Sequence, residues 1–114
     1  MHELSIIANL YEILEAKAKE QKAKKITHVK LRVGVLSGVV PDFLETAFDI
    51  YKKDTMASEA TLEITEVPLK IKCKSCRAEL TFKETVFLCS ECGSSDIEIL
   101  DGTELLLERM ELSL

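Results

Sequence analysis

The chain's four cysteines stand as two matched pairs, Cys73-x-x-Cys76 and Cys89-x-x-Cys92, with twelve residues between the pairs and no cysteine elsewhere. A two-residue gap lets a tight knuckle aim two thiolates at one ion. Two knuckles supply the four sulfurs of a closed tetrahedral Zn2+ site. Residues 69–100 are too few to build a core of their own, so a bound ion is what would fold them. Gly93 follows the second pair and suits a positive-φ position, whereas Arg77 after the first does not, so the two turns are expected to differ. The same residues could form two disulfides, a dithiol redox pair or a rubredoxin-like iron site. No signal peptide opens the chain, which argues against structural disulfides. Redox CxxC motifs rarely come as a matched pair that uses every cysteine. The spacing favours structural zinc. Four thiolates leave no open coordination position, so this ion is expected to hold a fold together and to do no catalysis.

Charge excludes a tempting function for such a module. The chain of 114 residues carries a net charge of −5. Residues 69–100 hold five basic side chains (Lys70, Lys72, Lys74, Arg77, Lys83) against five acidic ones (Glu79, Glu84, Glu91, Asp96, Glu98). Zinc on four thiolates adds about −2 more. Binding a phosphate backbone needs a basic footprint, and none is visible. The lysine-rich run Lys17 to Lys25 reads instead as the solvated face and end of a helix. No apolar run approaches the roughly 20 residues that span a bilayer, so a soluble, cytoplasmic protein is expected.

Apolar spacing sets the order of elements. Residues 4–20 predict an amphipathic helix with a stripe of Leu4, Ile7, Tyr11, Leu14 and Ala18, widened by Leu10 and Ile13. Thr27 to Val35 alternates as a half-buried strand, with Val29, Leu31, Val33 and Val35 on one face and His28, Lys30 and Arg32 on the other. Pro41 and Asp42 suit a second helix's first turn, followed by a stripe of Phe43, Leu44, Ala47, Phe48 and Tyr51. Residues 60–67 alternate again and stop at Pro68. Asp101-Gly102 is turn chemistry, and residues 104–112 read as a last strand. The expected fold is α+β: a small mixed or antiparallel three-stranded sheet packed by two helices, with an inserted zinc-ribbon-like module of four cysteines. The domains would be 1–67 plus 101–114 and 68–100, with hinges near Pro68 and Gly102. The strands on either side of the module could pair with each other.

The chain begins Met1-His2-Glu3, which puts an α-amine beside an imidazole, two groups that titrate near neutrality. The amine, the amides of His2 and Glu3 and the imidazole could form a planar set of four nitrogens, a preference of Ni2+ or Cu2+. Such a short motif is weak evidence by itself. His28, on the polar face of its strand, reads as a plain exposed residue.

Taken in order, these pieces resemble a known family. They are Met1-His2-Glu3 opening a helix, Lys30-Leu31-Arg32-Val33-Gly34, Leu36-Ser37-Gly38, Asp42-Phe43-Leu44-Glu45-Thr46-Ala47-Phe48 and the paired CxxC module. The set is similar nearly end to end to HypA/HybF, the nickel-incorporation accessory proteins of [NiFe]-hydrogenase maturation. That resemblance implies nickel at Met1, His2 and Glu3, and structural zinc at Cys73, Cys76, Cys89 and Cys92. It implies a metallochaperone with Ni2+ as transient cargo, a HypB-type GTPase partner, a hydrogenase large-subunit precursor as recipient, and a possible homodimer. Lys74-Ser75 and Ser90-Glu91 fill the knuckles here, where many relatives carry histidines. An enzyme finds no support in the sequence: no spare cysteine nucleophile, no P-loop, no glycine-rich dinucleotide turn. A zinc-ribbon adaptor without a nickel role is the other competing class.

Overall fold

A computed structural model describes residues 3–114. Helix α1 (Glu3–Glu20) buries Ile7, Leu14 and Ala18, with Leu10 and Tyr11 packed at the margin. The stripe is narrower than its apolar residues suggest, because Leu4 and Ile13 stay about half exposed. Strand β1 (Lys25–Gly34) starts earlier than the alternation implies, and Val35 leaves it for a 3-10 turn over Val35–Ser37. Ile26 joins Val29, Leu31 and Val33 in the core. A bulge between Ile26 and His28 makes this possible, since one extra residue resets which face a side chain takes. Helix α2 (Pro41–Tyr51) opens on Pro41, whose missing N–H costs nothing in a first turn. It buries Leu44, Ala47 and Phe48, but Phe43 faces solvent with 62% of its surface accessible.

Strand β2 (Thr61–Val67) pairs parallel with β1, from His28 opposite Thr61 to Gly34 opposite Val67. The last strand, β6 (Leu105–Ser113), pairs antiparallel with the other edge of β1, from Lys25 opposite Ser113 to Val33 opposite Leu105. The sheet is therefore mixed, in the order β2-β1-β6. The two strands that flank the cysteines do not pair with each other, although their sequence order suggests it. β1 lies between them, because its inner residues Val29, Leu31 and Val33 are the ones buried almost completely. Both helices cover this face, and Tyr11 and Tyr51 meet with ring centres 5.4 Å apart. The opposite face carries a cross-strand ion ladder. Lys30 stands 3.4 Å from Glu63 of β2 and 3.5 Å from Glu108 of β6, and Arg32 stands 3.3 Å from Glu104. Such part-exposed pairs contribute about 0–1 kcal/mol each, so they fix register more than they add stability.

Between β2 and β6 the chain forms a second three-stranded sheet, which the alternation did not resolve. It comprises β3 (Leu69–Cys73), β4 (Glu79–Phe82) and β5 (Ile97–Asp101), in the order β4-β3-β5 and antiparallel throughout. Leu69, Ile71 and Cys73 point inward, alternating with exposed Lys70 and Lys72. The two sheets meet at a glycine contact. A Cβ on Gly34 would lie 2.2 Å from the Gly102 carbonyl oxygen. One on Gly102, whose φ is +104°, would lie 2.9 Å from the Leu69 Cα. Hydrogen bonds close the contact: the Gly34 amide donates to the Glu104 carbonyl and the Leu36 amide to that of Gly102, each at 2.7 Å.

Gly34 has an ordinary extended backbone, with φ −76°. Its substitution is therefore a pure test of space. Gly34→Ala should cost about 1–3 kcal/mol through overpacking against rigid backbone, read as a lower urea midpoint by circular dichroism. An unchanged midpoint would show that the sheets are not held by this approach.

Candidate metal centre

Each cysteine pair sits on a hydrogen-bonded knuckle, and the two knuckles repeat one pattern. In the first, the Arg77 amide donates to the Cys73 carbonyl at 2.9 Å and the Cys73 amide to Ala78 at 2.9 Å. In the second, the Gly93 amide donates to the Cys89 carbonyl and the Cys89 amide to Ser94, both at 2.8 Å. Arg77 takes a φ of 65° and Gly93 one of 74°, so the turns match and the expected difference between them is absent. Closing the knuckle outweighs the roughly 1–2 kcal/mol that a side chain costs in the left-handed region. The Ser75 and Ser94 hydroxyls, 2.9 Å apart, join one knuckle to the other.

This scaffold brings all four sulfurs within 4.8 Å of one another. Cys73 and Cys92 are 3.6 Å apart, as are Cys76 and Cys89. The edges of a tetrahedron with metal–sulfur bonds of about 2.3 Å measure about 3.8 Å. The cysteines are free thiols at separations far beyond a disulfide's roughly 2.0 Å. Both pairings also run across the knuckles, as a shared ion requires. Cys73 and Cys89 are buried while Cys76 and Cys92 are exposed, so each knuckle gives one inner and one outer ligand.

Electrostatics explains why the cluster wants a cation. The Cys76 amide, 3.4 Å from the Cys73 sulfur, helps to draw that thiol down to about 6. The Ala78 amide favours the Cys76 thiolate as well, but desolvation and the adjacent Cys89 and Cys73 sulfurs push this thiol up to about 12. Cys92 is raised too, with the Ser94 amide opposing and the Cys73 sulfur and desolvation prevailing. Four thiolates cannot coexist at these distances without a positive ion between them. Zinc satisfies the geometry, the donor type and the charge, and the closed set leaves no position for a substrate.

The terminal residues expected to hold nickel divide differently. Met1 and His2 lie outside the described residues, and Glu3, the first described residue, lies in α1 with part of its surface accessible. His28 is less plain than its position on the polar face implies. Its Nδ1 is 2.7 Å from the Thr61 hydroxyl and its Nε2 is 3.4 Å from the Glu63 carboxylate. Among the described residues, the four cysteines are the group of three or more side chains able to share one ion, and His28 is not part of it. The sequence reading missed the exposure of Leu4 and Phe43 beside Glu3. The available signal was crowding, with Leu4 close to Ile6 and Ile7 in α1 and Phe43 next to Leu44 in α2, more apolar residues per turn than one buried face can take.

A helix-covered mixed sheet with a four-thiol ribbon spliced in before its last strand defines a small α+β protein with a ribbon-type metal centre. A family model described as hydrogenase/urease nickel incorporation, metallochaperone, HypA, matches residues 1–112, and the chain belongs to that family of nickel metallochaperones for hydrogenase maturation. It is 43% identical over 112 residues to the hydrogenase maturation factor HypA of Shewanella oneidensis, covering 98% of this chain and 95% of that one. Against the factor of the same name from Aquifex aeolicus it is 42% identical, covering 98% and 97%. The solution structure of the Ni metallochaperone HypA from Helicobacter pylori superposes with a TM-score of 0.67 at 27% identity, covering 99% of this chain and 98% of that one.

Protein purified with its metal should carry one ion per chain. Cys89→Ser should lose it and leave residues 69–100 disordered, with α1, α2 and most of the β2-β1-β6 sheet retained. Metal analysis beside amide NMR spectra checks both parts. Acidification should act in the same direction. Metal-bound thiolates have depressed pKa values, so the stability they confer is present at neutral pH and lost as pH falls and they protonate.

Proposed function

We propose that this chain carries Ni2+ on its first residues and passes it by stepwise ligand exchange to a hydrogenase large-subunit precursor, with a HypB-type GTPase as partner. The ligands are the Met1 amine, the His2 imidazole and the amide nitrogens of His2 and Glu3, with Glu3's carboxylate at the margin. The observation that carries this reading is the family match, which reaches residue 1 and so takes in Met1-His2-Glu3. Four nitrogens in a plane suit Ni2+ and not Zn2+. A site at a chain end can also open one ligand at a time, which suits cargo better than a resident ion.

Cys73, Cys76, Cys89 and Cys92 bind zinc as a structural ion. Residues 68–100 are the zinc-binding domain, and residues 1–67 with 101–114 are the nickel-binding α/β domain. Nickel and zinc thus have separate sites, one for cargo and one for folding and partner docking. The protein works in the cytoplasm as a carrier and not as an enzyme, and it can pair as a homodimer. Among the described residues no helix is long and apolar enough to cross a membrane.

A Gly-Ser extension before Met1 converts the ligating amine into an amide. Nickel affinity should then fall by about tenfold or more, equal to about 1.4 kcal/mol, with an unchanged circular dichroism spectrum. Calorimetry on authentic and extended proteins makes the comparison. Equal affinities would move the site to side chains elsewhere.

His2→Ala should abolish specific nickel binding and hydrogenase maturation while zinc content and melting temperature hold. Position 2 precedes the buried stripe that begins at Ile7, so the substitution should cost within about 0.5 kcal/mol. His28→Ala is the control and should keep its nickel, because His28 is engaged by Thr61 and Glu63. Loss of nickel in the His28 variant alone, or equally in both, would sink the terminal site.

A further inference from the structure

The α1–α2 pair leaves an open trough on its outer side, beside Glu3. Its walls are Glu3, Leu4 and Ser5 of α1 and Phe43, Thr46, Ala47 and Ile50 of α2, enclosing about 450 Å³. Three large apolar side chains there face solvent, with Leu4 at 51%, Phe43 at 62% and Ile50 at 57% of their surface accessible. Single exposed apolar residues are ordinary, but an adjoining set on one concave surface marks a place where something docks. Phe43, Ala47 and Ile50 follow the i, i+4, i+7 spacing of a helix face, a line about 10 Å long at 1.5 Å per residue. That length and spacing match two turns of a partner helix, with Ala47 as a shallow floor into which a larger side chain can settle.

Charge identifies the occupant. The acidic residues of α2 are Asp42, Glu45 and Asp49, all exposed, and the helix contains no basic residue. Glu3 adds a fourth carboxylate from the opposite wall. Lys52 follows the helix, but it is turned away. It stands 3.4 Å from Asp49, donates to the Ala60 carbonyl at 3.1 Å and lies over the Phe48 ring. Lys53 lies beyond the helix end. Among the described residues, Asp42 and Glu45 have no ion-pair partner. We infer that this trough is a docking site for a basic amphipathic helix of a partner protein, apolar on one side and flanked by lysine or arginine. Apolar anchors supply the affinity, and the acidic rim selects and orients the partner. The surface includes Glu3, Leu4 and Ser5, so a partner held there sits against the described start of α1. The docking itself needs no nickel.

The test titrates an acetylated helical peptide of leucine and lysine, patterned at i, i+4 and i+7, into the isotope-labelled full chain with zinc bound and nickel absent. Saturable amide shifts centred on Leu4, Phe43, Thr46 and Ile50 are expected. Affinity should fall about tenfold or more in Phe43→Ser/Ile50→Ser. It should also fall in Asp42→Asn/Glu45→Gln and at high salt, where charges this exposed are screened. These side chains are largely outside the core, and unchanged melting curves would confirm that each variant is folded. Equal binding by the matching leucine and glutamate peptide would overturn the inference, as would shifts elsewhere on the protein or no saturable binding. Self-association that Phe43→Ser/Ile50→Ser abolishes would assign the trough to a second copy of the chain, and binding to neutral lipid vesicles would assign it to a membrane. Either result would also overturn it. None of these outcomes depends on whether the terminus binds nickel.

Discussion

Strand β1 is hydrogen-bonded along both edges, parallel to β2 and antiparallel to β6, and the rest of the molecule is arranged around that fact. The chain leaves the first sheet at Val67 on one side of Gly34 and returns at Glu104 on the other. Everything between must turn back on itself within a strand's width. β3 and β5 do so as direct antiparallel neighbours, Lys70 opposite Asp101. Gly102 then sits between Gly34 and Leu69, where any side chain would separate the sheets. The metal module is thus a loop between two strands of the first sheet, with its way in and its way out locked together.

In the proposed division of roles, the two metals ask for opposite things. A structural ion needs ligands held in place before it arrives, and the knuckles provide them with repeated amide–carbonyl bonds and a buried sulfur each. A transported ion needs ligands that can leave singly, which a chain end provides and a closed cage does not. The proposed separation of the roles also agrees with donor chemistry. Four soft thiolates on one ion form a stable tetrahedron, whereas amine, amide and imidazole nitrogens favour a plane.

Much of this was legible in the residues. The cysteine spacing pointed to one four-sulfur centre, and the alternation of Val29, Leu31 and Val33 located the strand that proved central. The ordered motifs, from Met1-His2-Glu3 through Lys30–Gly34 and Asp42–Phe48 to the cysteine pairs, pointed to the family. Other features were beyond local pattern. Arg77 in a left-handed turn contradicts its propensity, because the hydrogen bonds of the knuckle decide the backbone there. The bulge beside Ile26 breaks strict alternation and depends on the partner strand, which is distant in sequence. Leu4 and Phe43 have the spacing of core residues and are exposed, since how much of an apolar stripe is covered depends on what lies opposite it.

The placement of β6 has a consequence for synthesis. On the ribosome, both helices, β1 and β2 emerge before the first cysteine, and the strand that completes their sheet emerges last. Until then β1 offers an edge of unpaired backbone N–H and C=O groups, a template for pairing with any other nascent chain. That edge closes only when Leu105 comes alongside Val33, after the whole metal module has been made. The length of the inserted module therefore sets how long this sticky intermediate lasts during synthesis, whether or not the ion has bound.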